Sequence, residues 1–173
     1  MRGEPNNEAE FLRLVEDNRP RLLRLCRVYA WNAADQDDLF QEILVQLWRS
    51  LPALREKAYG NTWLYRVALN TAITFVRKST ASTWATPTED AELYRRADQN
   101  VARDAAQAGS PRIDDLYEAM DKLNRVDKAL VTLFLEDFSY EEIGEVLGLS
   151  SSHVGVMLHR AKKKLSDFMK EAQ

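Results

Sequence analysis

Residues Ser139–Leu165 read SYEEIGEVLGLSSSHVGVMLHRAKKKL, and the starts and stops inside this run decide how it folds. Ser139 with Glu142 three residues on is a capping box, in which each side chain serves the other's backbone N–H. It opens a short helix carrying Ile143, Val146 and Leu147. Gly148 supplies a C-cap that ends this helix, and Ser150 is placed to cap the next one. There Val154, Leu158, Ala161 and Leu165 recur at i, i+4, i+7 and i+11, a single buried stripe. Two short helices joined by a three-residue turn containing glycine make a helix-turn-helix.

The second of these helices begins at Ser151 and turns Ser152, His153, Val156, His159, Arg160 and Lys163 outward, with no acid from Val146 to Ser166. In a helix-turn-helix this helix enters the major groove, its first residues on base edges. Arg160 and Lys163 suit phosphates or guanine, and Val156 can pack on a thymine methyl. Backbone donors at the helix start suit a phosphate. The plainer reading is a solvated basic helix whose lysines complement its dipole. The capped partner helix beside it favours DNA contact.

Upstream, Ile113, Leu116, Met120 and Leu123, then Ala129, Leu130, Leu133 and Phe134, mark two more helices. Before them, residues 80–111 are rich in Ser, Thr, Ala and charge and poor in large apolar residues, so they cannot bury a core of their own. They read as a flexible linker between an N-terminal domain, 1–79, and a C-terminal domain, 112–173.

In the N-terminal domain, Asn61–Ser79 (NTWLYRVALNTAITFVRKS) gathers Arg66, Arg77, Asn70, Trp63, Thr74, Val67, Lys78 and Thr71 on one side of a helix. Leu64, Tyr65, Ala68, Leu69, Ala72, Phe75 and Val76 lie opposite, enough to anchor it on a core. No carboxylate occurs from Lys57 to Thr88. A solvated face normally mixes both charge signs. A cationic face with amides and an indole suits phosphates and unstacked bases. An ordinary amphipathic helix with Trp63 half in the core is the bland alternative.

Glu8–Ala30 reads as a helix with Phe11, Leu14, Val15, Leu22, Leu25, Cys26 and Tyr29 at helical spacings, bent near Pro20. A turn at Trp31–Ala34 leads to a helix from Asp35 to Leu51, stopped by Pro52. Its apolar face is Leu39, Phe40, Ile43, Leu44, Leu47 and Trp48; its polar face is Asp38, Gln41, Glu42, Gln46 and Arg49. Val45 lies within the polar face, an apolar residue ringed by polar ones, the make-up of a small protein-docking surface. A lone exposed valine is also common. Residues 53–60 form a loop carrying Arg55, Lys57 and Tyr59.

The fold class is therefore all-α: two small helical domains, an N-terminal helical bundle and a C-terminal helix-turn-helix, joined by a linker. With 173 residues, 45% hydrophobic and 29% charged, the chain is globular. Its net charge of −3 averages over locally acid-free stretches and says little about partners. Cys26 is the only cysteine, which excludes an intrachain disulfide or thiolate cluster, and it reads as a small core residue. His153 and His159 are six apart, poorly spaced for a shared metal; Asp37-Asp38 and Glu141-Glu142 diverge on their helices. No nucleophile with its base and no glycine-rich phosphate loop can be proposed, so no enzyme, metal or cofactor is expected. The polar N-terminus has no signal core and no window is long and apolar enough to span a membrane, so the expected setting is cytoplasmic, without direct membrane insertion.

The run DQDDLFQEILVQLWRSL, then TWLYRVALNTA, a linker, and LEDFSYEEIGEVLGLSSSHVGVMLHRAKKKL together resemble the extracytoplasmic-function group of sigma factors in the sigma-70 family, in order and separation over nearly the whole chain. The resemblance implies a factor that directs RNA polymerase core to promoters, promotes melting and has no catalysis of its own. It implies that Asp35–Leu51 docks on the clamp of the largest subunit through Asp38, Gln41, Glu42, Val45 and Arg49. Residues 55–61, with Arg55, Lys57, Tyr59 and Asn61, would capture a flipped base of the −10 element, and Trp63, Arg66, Asn70, Thr74, Arg77 and Lys78 would line the melted strand. Ser151, Ser152, His153, Val156, His159, Arg160 and Lys163 would read the −35 element. The polymerase flap and an anti-sigma factor, which can hold such proteins at the inner membrane face, are further implied partners, and the linker would thread toward the RNA exit path. This chain departs from the pattern at Gly155 and Met157, where basic residues are common, and at Tyr59-Gly60-Asn61, where an aromatic before Trp63 is frequent. The competing reading is a helix-turn-helix transcriptional regulator whose helical N-terminal domain binds a ligand or partner. A structural helical adaptor would need both acid-free faces to be accidental.

Overall fold

A computed structural model describes residues 5–53, 60–83 and 111–171. Among these residues the only secondary structure is helical: α1 (Pro5–Tyr29), α2 (Ala33–Ser50) running into a 3-10 turn at Leu51–Ala53, α3 (Gly60–Thr83), α4 (Pro111–Asp121), α5 (Arg125–Leu135), α6 (Tyr140–Leu147) and α7 (Ser151–Glu171). α1 runs through Pro20, where the sequence placed a bend, as one continuous helix.

Local chemistry sets the starts. Asn32 caps α2, its side chain accepting from Asp35 N–H at 2.7 Å and donating to the Asp35 carboxylate at 2.9 Å. Asn124 does the same for α5 with Asp127, at 2.9 and 2.8 Å. α2 therefore begins two residues before the position expected from Asp35, because Asn32 satisfies the orphan N–H groups. The Ser139–Glu142 capping box forms as expected, Ser139 N–H donating to Glu142 Oε2 at 2.7 Å and Glu142 N–H to Ser139 Oγ at 3.2 Å. Gly148 ends α6 at φ 71°. Gly144 has a separate necessity. A Cβ there would stand 2.4 Å from the Leu149 carbonyl oxygen, which folds back to accept nothing larger.

The N-terminal core joins Leu22, Leu25 and Cys26 of α1 to Leu39, Ile43 and Leu47 of α2 and to Leu64, Tyr65, Ala68, Leu69 and Ala72 of α3, all essentially sealed. The C-terminal core joins Met120, Leu130, Leu133 and Ile143 to the predicted stripe Val154, Leu158, Ala161 and Leu165. Ile113, expected on the buried face of α4, is exposed.

The two cores meet. Phe138, after α5, is buried against Tyr65 of α3 with ring centroids 4.9 Å apart. Beside them α1 presents Arg21, Arg24 and Arg27, three residues apart and so on one helix face. Arg24 grips the Glu136 carboxylate with two bonds, Nε to Oε1 at 2.6 Å and Nη2 to Oε2 at 2.7 Å. Arg21 donates to the Glu136 carbonyl at 2.9 Å, and Arg27 pairs with Asp114 at 2.7 Å while stacking on Tyr117. Glu136 is a buried carboxylate in a fork-shaped clasp, the geometry in which a charge pair is strongest.

Candidate nucleic-acid interface

α7 is held by its buried stripe and by Ser150, whose Oγ accepts from His153 N–H at 3.2 Å. Ser152, His153, Val156, His159, Arg160 and Lys163 are all exposed, and Ser151 is half-buried at the helix start. The neighbouring lysines have other work. Lys162 lies over the Phe134 ring, 4.4 Å from its centroid, and Lys164 pairs with the buried Asp127 at 2.6 Å. A run of four cations in five positions is thus sorted into two that bind α7 to α5 and two, Arg160 and Lys163, that face out. Met157 is half-buried and packs on the core.

On α3, Asn61, Arg66, Asn70, Arg77 and Lys78 are exposed, while Trp63, Val67 and Thr74 are half-buried. Two expectations change here. Trp63 packs partly against the core, so only part of its indole is available. Thr71 is buried, its hydroxyl donating to the Val67 carbonyl at 2.7 Å, and it leaves the polar face. Arg66 donates to the Glu145 carbonyl of α6, linking this face to the helix-turn-helix. Arg55, Lys57 and Tyr59 lie outside the described residues, as do residues 84–110 of the linker.

A groove of about 720 Å³ separates α3 from α2, with Asn70, Thr74 and Lys78 on one wall and Glu42, Gln46 and Ser50 on the other. On α2, Asp38, Gln41 and Arg49 are exposed; Glu42 is half-buried and accepts from Gln46 Nε2 at 3.0 Å. Val45 is exposed as expected, at 42%. Trp48 is not the core residue its spacing from Leu44 suggested. It is 44% exposed and stands edge-on to Phe11, centroids 5.1 Å apart. Its i, i+3 relation to Val45 was the available signal, and the two make an apolar strip beside the polar docking positions.

Two acid-free outward faces, one on a helix-turn-helix, are now joined by a sequence-level match. Residues 14–82 match the family model for sigma-70 region 2, and residues 113–165 that for sigma-70 region 4.

The chain belongs to the sigma-70 family.

It is a sigma factor of the extracytoplasmic-function group, which directs RNA polymerase to promoters, and its region 2 and region 4 modules bind the polymerase and promoter DNA. It is similar to the RNA polymerase sigma factor SigV of Bacillus subtilis, 27% identical over 94% of this chain and 93% of the relative. It is 29% identical to the ECF RNA polymerase sigma factor SigE of Mycolicibacterium smegmatis, over 90% of this chain and 60% of that protein. In fold it is similar to the sigma factor RpoE of Bartonella quintana, solved in complex with the anti-sigma factor NepR, with a TM-score of 0.69 at 18% identity, covering 96% of this chain and 98% of that one. Among the described residues of this sigma factor, no helix is long and apolar enough to cross a membrane.

Proposed function

We propose that the sigma factor divides promoter recognition between α3 and α7 while α2 holds it on the polymerase. Asp38, Gln41, Glu42, Val45 and Arg49 dock on the clamp, with Trp48 extending the apolar part of the contact. Arg55, Lys57, Tyr59 and Asn61 capture a base of the −10 element, and Trp63, Arg66, Asn70, Thr74, Arg77 and Lys78 line the melted strand. Ser151, Ser152, His153, Val156, His159, Arg160 and Lys163 read the −35 element as duplex. The observation that carries this is the pair of exposed faces without a carboxylate, each rooted on its own buried stripe.

The chemistry suits the division. Keeping strands apart needs aromatic stacking, worth roughly 1–3 kcal/mol per base, and phosphate charge. Fixing position on closed duplex needs groove readout. Each patch is small and the net charge is −3, so free DNA is held weakly, and tethering both patches to polymerase supplies avidity. No step requires the chain to make or break a bond. The protein acts in the cytoplasm and is silenced by an anti-sigma factor that covers these surfaces, the reading supported by the complex in which the similar RpoE was solved.

The test is run-off transcription with purified bacterial core polymerase on a pool of genomic fragments. Specific starts that need both proteins are expected; no transcript from any fragment would refute the proposal. Gln41→Ala with Glu42→Ala is expected to weaken core binding at least tenfold while helix content stays unchanged.

A further inference from the structure

Tyr140 is the first residue of α6, and its backbone is fixed by the capping box around it. Its side chain remains 40% exposed. The ring does not enter the core but lies across the turn on α7. A Cβ placed at Gly155 would stand 3.4 Å from its Cε2 and 3.6 Å from its Cδ2, ordinary van der Waals contact. The ring therefore rests over bare α7 backbone, and any side chain longer than a methyl at 155 would compete with it for the same space. Around α7, at about 100° per residue, position 155 falls between buried Leu158 and exposed His159. Tyr140 is thus an aromatic wall along the flank of the outward face. The first turns of that face offer Ser152, His153 and Val156, and its first fixed cation is Arg160.

We infer that Tyr140 is a specificity-determining residue of the duplex-reading surface, its ring edge packing on the 5-methyl group of a thymine in the major groove. Apolar contact, aromatic contact included, is how protein groups read that methyl. Val156, 53% exposed one helical step away, reads a second apolar position. The glycine is what admits the ring, so the selectivity is shared between two helices of the motif. The inference rests on α7 being the helix that reads duplex DNA.

The experiment uses the full chain bound to bacterial core polymerase and a duplex pool randomised across the upstream promoter element. In a selected duplex each thymine is replaced in turn by deoxyuridine, which keeps pairing but lacks the methyl. At one position the replacement is expected to weaken binding about fourfold, the effect of one buried methyl group. That sensitivity disappears in Tyr140→Ala and persists in Tyr140→Phe. Gly155→Leu, which pushes the ring aside without removing it, abolishes the same sensitivity and serves if Tyr140→Ala does not fold. If no thymine is sensitive, or if every sensitivity survives in both variants, the inference is wrong. Failure of the underlying reading looks different: Arg160→Ala with Lys163→Ala would then select the same duplexes with undiminished affinity.

Discussion

Cys26, Tyr29 and Tyr65 are weak acids sealed in the N-terminal core, and burial governs each of them. Desolvation pushes the Cys26 thiol from about 9 up to about 12 and raises both phenols above their ordinary value near 10. A raised value means the unfolded chain releases its proton first. Their contribution is therefore fully present below pH 9 and is lost as pH rises through 12 and beyond. The denaturant midpoint should fall as pH is taken upward from 9, and a thiol reagent at pH 8 should label Cys26 only after unfolding. Tyr29 carries a second signature: its buried hydroxyl finds no hydrogen-bond partner among the described residues. An unsatisfied buried hydroxyl costs about 1–3 kcal/mol, so Tyr29→Phe is expected to raise the melting temperature; a drop would mean that the hydroxyl is satisfied in solution. Cys26 was legible as a core residue because it stands inside an apolar run at helical spacing. Trp48 was not. Its spacing from Leu44 points inward, yet its indole stands half in solvent, edge-on to Phe11 of another helix.

The helix-turn-helix shows what local chemistry can and cannot announce. Its boundaries were readable because caps are made by neighbours in sequence: Ser139 with Glu142, Gly148 alone, Ser150 with His153 N–H. Gly144 carries no such mark, since its need for no side chain comes from the Leu149 carbonyl returning over α6. Gly148→Ala places a Cβ in the left-handed region and is expected to cost about 1 kcal/mol. Gly144→Ala, which drives a Cβ into backbone at 2.4 Å, should cost more. Chemical denaturation of the two variants checks the order, and the reverse order would show that the turn relaxes more easily than its geometry implies. The fate of the lysines on α7 was equally hidden. Lys162 and Lys164 differ from Lys163 only in facing Phe134 and Asp127 of α5, and periodicity within one helix cannot identify a partner on another.

Across the molecule the two modules are joined by the arginines of α1 and the carboxylate at the end of α5. Arg24 and Glu136 are 112 residues apart, so no local pattern advertised them and the sequence read as two domains on a tether. The −10 and −35 elements proposed for α3 and α7 lie, by their names, about 25 base pairs apart, roughly 85 Å at 3.4 Å per pair, against about 36 Å for the 24-residue α3. On that proposed division, engaging both elements at once requires this contact to part. Arg24 is half-exposed while the Glu136 side chain is 7% exposed, so the pair is partly screened, and its loss should cost about 1–3 kcal/mol. Glu136→Ala is expected to increase the radius of gyration in small-angle scattering, and raising salt should move the parent protein the same way. An unchanged scattering curve for the variant would assign the closure to the contacts it leaves in place, Phe138 on Tyr65, Arg27 with Asp114 and Arg66 with the Glu145 carbonyl.

The clasp also has a direction. Its cations all belong to the first helix and its acceptors all belong to the second half of the chain, so the bond is indifferent to whether donor and acceptor come from one polypeptide. Crowding the protein beyond the effective concentration that its own tether provides will let neighbours trade halves, and reciprocal dimers should accumulate with dose in light scattering and dissolve again on dilution.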